Sequence, residues 1–184
     1  MVVNAGLKRF CKALFDGFSW IKLTFRVLFF GAMLLTIKTI DIYRLTFTDP
    51  IIPGTVWLLT GLLLTPVLYR YLIEKINMTS WLLHIVFNTV TWGGILVAIP
   101  FFANYYFERG YPVTIQLQLK DKSNMAKGTA GCGNAVANVD YDKITKQLVF
   151  DCGINLNRAN QVQLVIRKGI LGYDVIIRQE LIVK

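Results

Sequence analysis

The fold is decided by two long uncharged stretches, Ile51–Tyr69 (IIPGTVWLLTGLLLTPVLY) and Trp81–Phe107 (WLLHIVFNTVTWGGILVAIPFFANYYF). Neither contains Asp, Glu, Lys or Arg, and they run for 19 and 27 residues. At a rise of about 1.5 Å per residue, each is long enough as a helix to cross a hydrocarbon core about 30 Å thick. Aromatic residues lie near their ends, where rings favour the head-group region, so the stretches predict transmembrane helices near 51–69 and 83–105.

A third apolar stretch lies closer to the N-terminus, but basic residues interrupt it. Arg26 falls inside the segment between Lys22 and Lys38, so the longest uncharged part is residues 27–37. That part alone is too short to cross a membrane. A span near 23–42 results if the long side chains of Arg26 and Lys38 reach toward opposite interfaces, and we therefore predict three transmembrane helices. The rival arrangement is a two-span hairpin, in which residues 27–37 lie on the membrane surface and both ends of the chain face the cytoplasm.

The composition excludes an ordinary soluble domain. The chain has 184 residues, of which 54% are hydrophobic and 17% are charged, and its mean hydropathy is +0.49. Its 20 Lys and Arg residues against 11 Asp and Glu give a net charge of +9. In so apolar a chain, this charge favours contact with anionic lipid head groups over contact with nucleic acid. We expect the lipid bilayer as a partner, and no nucleic acid.

The basic residues are distributed unevenly around the predicted spans. Lys and Arg concentrate on the cytoplasmic side of membrane proteins. The segment before the first span contains one acidic residue, Asp16, against five basic ones: Lys8, Arg9, Lys12, Lys22 and Arg26. This bias predicts a cytoplasmic N-terminus, and three spans then put the C-terminal part outside the cytoplasm. We expect a bacterial inner membrane protein whose first span is retained, because no small-residue cleavage site follows residues 27–37.

Residues 1–22 are predicted to form a cytoplasmic basic amphipathic helix. Apolar residues recur at helical spacing from Leu7 to Ile21, whereas Lys8, Arg9 and Lys12 fall on the opposite side. Such a helix lies in the plane of the membrane, so these three side chains are candidate lipid contacts at the inner leaflet. The alternative is that the apolar stripe packs on a partner or on the short inner loop of this chain.

Polar residues within residues 23–107, the predicted membrane unit, are the first place to look for transport chemistry. His84, Asn88 and Thr91 lie on one face of the third span, because residues four and seven apart share a face of a helix. This face predicts either hydrogen-bonded helix packing or a path for a proton or substrate. The deep parts of the second and third spans contain no charged residue, which argues against a voltage sensor or a carboxylate-driven pump.

Beyond Gly110 the periodicity of the sequence changes from helical to strand-like. From Val113 to Lys120, apolar and polar residues alternate, which is typical of a half-buried strand. Four further strand candidates follow, separated by turn-rich breaks of which the first is Asp121–Gly128: Asn134–Val139, Gln147–Cys152, Gln161–Arg167 and Tyr173–Val183. Residues 110–184 therefore predict a small antiparallel β domain of about five strands, either a sandwich or a partly open barrel. The fold class expected for the whole chain is a membrane protein of the α+β class.

Two cysteines, Cys132 and Cys152, lie in this β domain. A domain of about 75 residues is near the lower limit for a self-supporting core, and the predicted compartment is oxidising. A disulfide between the two cysteines would close a loop of about twenty residues and stabilise the domain by about 3 kcal/mol. The alternatives are two reduced thiols, or half of a metal site whose other ligands are not evident.

The residue inventory excludes several kinds of catalysis. The only histidine is His84, in a predicted span, so the β domain can form neither a Ser-His-Asp triad nor a Cys-His pair. Asp140, Asp142 and Asp151 could converge as paired carboxylates, but Asp-Tyr-Asp-Lys is more typical of a polar turn between two strands. We expect no catalytic residues, no cofactor and no metal.

These observations together predict a non-catalytic integral membrane subunit or accessory protein of an envelope complex. Its partners would be other membrane or extracytoplasmic protein subunits, in a homo- or hetero-oligomer, and the exposed edges of a small sheet would offer strand addition as the mode of contact. The first alternative is a self-contained protein of phage defence, superinfection exclusion or immunity. The second is a small homo-oligomeric channel or transporter built around the polar face of the third span.

Overall fold

The structure is a computed structural model and describes residues 20–124, 133–152 and 154–183, without the side chains of residues 124, 152 and 183. It confirms an α+β chain in which three long apolar helices precede two small antiparallel sheets. The helices are α1 (Trp20–Arg44), α2 (Ile51–Ile76) and α3 (Trp81–Tyr106).

All three helices are long and apolar enough to cross a membrane. The first candidate span is thus one helix of 25 residues that continues without a break through Arg26 and Lys38. Helix α2 extends through Arg70 to Ile76, beyond the span predicted near residues 51–69, since Arg70 to Lys75 include good helix formers. Helix α3 contains one π-helical turn, Thr89–Gly93, near its middle.

The chain forms two compact units, and the boundaries between them fall within or just beside the helices. The helical unit consists of the described chain up to Thr36 together with Gly54–Val97. The sandwich unit consists of residues 37–53 and the described chain from Ala98 onward. The sheets therefore share a compact unit with the last turns of α1 and α3 and with the loop between α1 and α2.

Small residues bring the helices of the helical unit close together. A Cβ atom at Gly61 of α2 would lie 2.7 Å from Cα of Thr89 in α3, and one at Gly93 would lie 2.6 Å from the carbonyl oxygen of Trp57. Contacts this short are possible only without a side chain, as is common where membrane helices pack closely. Aromatic rings also pack between α1 and α3, since the rings of Phe29 and Phe87 are stacked with centroids 5.7 Å apart.

The sandwich unit has six described strands rather than about five, and they form two sheets of three. They are β1 (Val113–Gln118), β2 (Lys120–Asn124), β3 (Asn134–Tyr141), β4 (Ile144–Cys152), β5 (Ala159–Lys168) and β6 (Asp174–Val183). One sheet has the order β1-β5-β6 and the other β2-β3-β4, and all pairs are antiparallel.

The additional strand is β2, which occupies residues that the sequence predicts as a turn. Its sequence, KDKSN, has no apolar alternation, so pairing with β3 is a tertiary effect that the local pattern does not reveal. The register between β2 and β3 shifts between Lys120 and Ser123. Such polar, irregular strands are typical of sheet edges.

The two sheets share one hydrophobic core, so they form a small sandwich rather than a barrel. Side chains from β3 and β4 in one sheet and from β5 and β6 in the other belong to the same buried cluster, including Val139, Leu148, Val162, Leu164 and Ile176. The sheets are also joined by polar contacts, because the Gln179 side-chain amide donates to the Val149 carbonyl at 2.6 Å.

The loop between α1 and α2 contributes to this core. Thr46 forms an isolated antiparallel bridge with Val175 of β6. The Phe47 N–H donates to the Asp174 carbonyl at 2.9 Å, and the Ile176 N–H donates to the Leu45 carbonyl at 2.7 Å. Phe47 is only 3% exposed and is a member of the core cluster. Residues 45–47 therefore extend the sheet beyond β6.

Candidate functional site

The most distinctive surface of the sandwich is the free edge of β1. Among the described strands, β1 pairs only with β5, from Val113 opposite Ile166 to Gln118 opposite Gln161. Its sequence, VTIQLQ, contains no charged residue and no proline. The other side of the strand therefore presents backbone N–H and C=O groups with no strand beside them in the described structure.

The other edges of the two sheets are protected. Residues 45–47 cover only the start of the β6 edge, at Asp174–Ile176, and the rest of β6 carries Arg178 and Glu180. Edge strand β2 carries Lys120, Asp121 and Lys122 and an irregular register, and edge strand β4 carries Lys146 and Asp151. Charged residues and irregularities are the usual means by which proteins keep edges from pairing with other chains. Edge strand β1 has neither.

The side chains of β1 suit pairing with an extended segment. Ile115 and Leu117 pack against the core and hold the strand in place, whereas Thr114 and Gln116 are exposed. Just before the strand, Tyr111 is 91% exposed. An added strand would gain main-chain hydrogen bonds along β1 and an aromatic contact at its start.

A second candidate site lies inside the helical unit, at the predicted polar face of α3. His84, Asn88 and Thr91 are completely buried, so the structure puts all three between helices rather than on an outer surface. The Asn88 side-chain amide donates to Thr65 Oγ1 of α2 at 3.2 Å. His84 Nε2 lies 2.6 Å from the Met78 carbonyl oxygen, and its ring packs against that of Tyr69 with centroids 4.7 Å apart.

Some polar atoms of this cluster have no protein partner. In the described part of the chain, His84 Nδ1, Asn88 Oδ1 and Thr91 Oγ1 are buried without a hydrogen bond. The π-helical turn that contains Thr91 follows Asn88 directly, and such turns often occur at functional positions of helices. The direct contacts to Thr65 and Met78 are those of helix packing, whereas the three unpaired atoms have hydrogen-bonding capacity that no described residue uses.

Lys146 of β4 forms a hydrogen bond that links the C-terminal end of α1 to the sandwich. Its Nζ donates to the Tyr43 carbonyl at 2.7 Å and lies 3.8 Å from the centre of the Tyr43 ring. Tyr43 lies in the last turn of α1, where unpaired carbonyls favour a positive charge. Burial lowers the pKa of Lys146 to about 8, although the carbonyl and the ring both favour its protonated form.

This lowered pKa predicts that the sandwich becomes more stable as the pH rises above about 8. Between that value and the ordinary pKa of 10.5, the unfolded chain binds more protons at this site than the folded chain, so the free energy of unfolding increases with pH. The slope is at most about 1.4 kcal/mol per pH unit. Denaturant unfolding in detergent at several pH values would measure it. We expect the rise to be absent in Lys146→Met, and an equal rise in that variant would contradict the assignment.

Several predicted site residues lie outside the described residues. Lys8, Arg9 and Lys12 belong to this group, as does Cys132. Cys152 ends β4, with Asn134 as its backbone partner, but its side chain is not described. The amphipathic helix, its lipid contacts and the disulfide therefore stay predictions.

Two of the carboxylates considered for catalysis, Asp140 and Asp142, have structural roles in the β3–β4 hairpin. Asp140 accepts hydrogen bonds from Lys120 Nζ at 2.5 Å and Thr145 Oγ1 at 2.7 Å, and the Lys120 bond in particular lowers its pKa. Asp142 and Lys143 form the tight turn with positive φ angles of 43° and 69°. Within the described ranges, no three His, Cys, Asp or Glu side chains are grouped as a metal site.

Sequence reasoning missed three residues that position these surfaces. Phe47 and Lys146 join the α1 end and its loop to the sandwich, as described above. Asn104 in the last turn of α3 is 2% exposed, donates to the Tyr173 carbonyl at 3.2 Å and accepts from the Leu171 N–H at 3.1 Å. The sequence contains only weak signals for these contacts. They are the alternation of apolar and polar residues in Leu45-Thr46-Phe47-Thr48 and a polar residue, Asn104, at the end of an apolar helix.

The described part of the chain thus defines an α+β protein with three helices that could span a membrane and a small sandwich. No protein-family model matches the chain, and no curated protein or solved structure shows significant similarity to it.

Proposed function

We propose that the protein is a non-catalytic membrane-anchored subunit or accessory factor of an envelope complex, and that it binds a partner protein through the free edge of β1. The observation that carries the proposal is the contrast between edges. Among the described strands, the outer edge of β1 is uncharged and unpaired, whereas the start of the β6 edge is covered by residues 45–47 and the rest of β6, β2 and β4 carry charges. Exposed regular edges pair readily with extended segments of other proteins.

The proposed setting is the bacterial inner membrane, with the N-terminus in the cytoplasm and the sandwich on the outer face. The excess of Lys and Arg before α1 supports this orientation. Residues 45–47 pair with β6, so they must lie on the same side of the membrane as the sandwich. Two crossings, by α2 and α3, give this arrangement.

The edge can be tested with lysines on its exposed face. Thr114→Lys/Gln116→Lys puts two charges on β1, where they oppose strand addition by an apolar partner but leave the partly buried Ile115 and Leu117 unchanged. The matched control is Gln161→Lys/Gln163→Lys on the central strand β5, directly opposite Gln118 and Gln116. The complex would be extracted in mild detergent at native expression, and its mass and subunit composition measured.

We expect stoichiometric foreign subunits with the native chain and the β5 control, and their retention reduced roughly tenfold by the β1 pair, which corresponds to about 1.4 kcal/mol. Equal retention by both double variants would exclude the β1 edge as the contact. A homo-oligomer without foreign subunits would contradict the accessory-subunit proposal. It would favour a self-contained immunity or exclusion protein, or a channel based on His84 and Asn88.

A further inference from the structure

A groove of about 330 Å³ opens in the helical unit. It is bounded by the first turns of α1, the end of α2 and the first turns of α3. Three aromatic rings of its wall are packed together, since Phe87 lies with its ring centroid 5.9 Å from that of Phe25 and 5.7 Å from that of Phe29. Phe30 and Val86 leave apolar surface uncovered, at 57% and 46% exposure. The groove therefore offers an apolar surface along which a flexible apolar ligand can lie.

One end of the groove is basic. Lys22 and Arg26 line it and lie four residues apart, on the same side of α1. No acidic residue lines the groove, and neither basic side chain is in an ion pair in the part of the chain that the structure describes. Two cations with no ion-pair partner among the described residues, beside an apolar wall, are complementary to a ligand with an anionic head and an apolar tail.

We propose that this groove binds an anionic phospholipid of the surrounding membrane. Its phosphate contacts Lys22 and Arg26, and an acyl chain lies along Phe29, Phe30 and Val86. Both cations precede the apolar part of α1, which is the arrangement that a lipid has across a leaflet. On the proposed topology this is the cytoplasmic leaflet, whose anionic lipids attract basic residues.

Charge also argues against the N-terminal stretch of this chain as the occupant of the groove. The N-terminal stretch has an apolar stripe, but its three basic residues, Lys8, Arg9 and Lys12, outnumber its one acidic residue, Asp16, so it would bring a net positive charge near Lys22 and Arg26. Like charges repel, whereas a phosphate is attracted. A free phosphate or head group would leave the apolar wall exposed to water, so the acyl chain is part of the proposed ligand.

Binding of lipids to the full-length protein in detergent can be followed by native mass spectrometry. We expect phosphatidylglycerol to bind about tenfold more tightly than phosphatidylcholine with the same acyl chains. This preference should disappear in Lys22→Gln/Arg26→Gln. It should persist in Lys38→Gln/Arg44→Gln, which removes the same charge from the other end of α1. Equal affinities in the native protein, or equal losses in both double variants, would overturn the proposal.

A second pair of variants tests the apolar wall. Val86→Trp fills the groove, whereas Leu96→Trp adds the same ring to α3 at a position that is 50% exposed and does not line the groove. We expect only the first to weaken phosphatidylglycerol binding, by about tenfold. If glycerol phosphate alone displaces the lipid, or if Val86→Trp binds normally, the site does not hold an acyl chain and the proposal is wrong.

A photoreactive residue identifies the occupant directly. With p-benzoylphenylalanine in place of Leu83, which also lines the groove, illumination in native membranes should give a lipid adduct. A cross-link to residues 1–19 instead would assign the groove to the N-terminal stretch and overturn lipid binding.

Discussion

Replacement of Phe47 by alanine should destabilise the sandwich by about 3 to 5 kcal/mol, the usual loss for a fully buried phenylalanine. The ring is 3% exposed, and its centroid lies 4.6 Å from that of Tyr141, which packs against the core. Removal of the ring leaves a cavity and also weakens the packing that holds residues 45–47 beside β6. In a domain of this size, the midpoint of thermal unfolding should fall by more than about 10 °C. Tryptic digestion of the detergent-solubilised protein across a temperature series would measure the shift.

The matched control for Phe47 is Tyr111→Ala. It also removes an aromatic ring, but from a position that is 91% exposed, so the unfolding midpoint should change by little. If both variants unfold at the same temperature, the loop between α1 and α2 is not part of the sandwich core.

The second large effect is expected at Gly61, where α2 meets α3. A Cβ atom here would be 2.7 Å from Cα of Thr89 and closer still to its hydroxyl oxygen, so Gly61→Ala must push the two helices apart. The shift would disturb the adjacent hydrogen bond from Asn88 to Thr65. We expect a loss of about 2 kcal/mol or more, as for other overpacked sites. Unfolding in mixed micelles with increasing SDS would report it.

Gly54→Ala on the same helix separates packing from intrinsic helix preference. Apart from the adjoining backbone of its own helix, no atom of the described residues lies within 4 Å of a Cβ atom built at Gly54. Alanine favours helix by about 1 kcal/mol over glycine, so this variant should be as stable as the native protein or more so. Opposite signs for the two substitutions would show that the close approach at Gly61 is required. A gain in stability at both positions would disprove it.

The helices could be predicted because their signal is local. A charge-free run of sufficient length is visible in the sequence, so Ile51–Tyr69 and Trp81–Phe107 gave the positions of α2 and α3. Arg26 obscured α1 because basic residues lower mean hydropathy without breaking a helix. The alternation after Val113 likewise predicted β1, since one of its faces packs on a core.

The parts that sequence reasoning missed depend on distant contacts. Strand β2 is polar and forms only because β3 lies beside it, and Lys146 looks like a surface residue until Tyr43 covers it. The polar face of α3 was identified from the sequence, but Thr65, which accepts a hydrogen bond from Asn88, was not. The sequence of one helix does not reveal which residue of a neighbouring helix will face it. The position of β1 at the edge of its sheet also depends on the order of the strands, which the alternation of apolar and polar residues does not reveal.

The contact between Leu45 and Ile176 also imposes an order on biosynthesis. The two residues are 131 positions apart (176 − 45), and the ribosome makes Phe47 before any of the strands that surround its ring. The core around this side chain is incomplete until β6, the last of the described strands, has been translated. Contacts over such separations form slowly, because a long loop must close first. Completion of the core around Phe47 therefore has to wait until β6 has been synthesised, although the residue itself is among the first of the sandwich unit to be made.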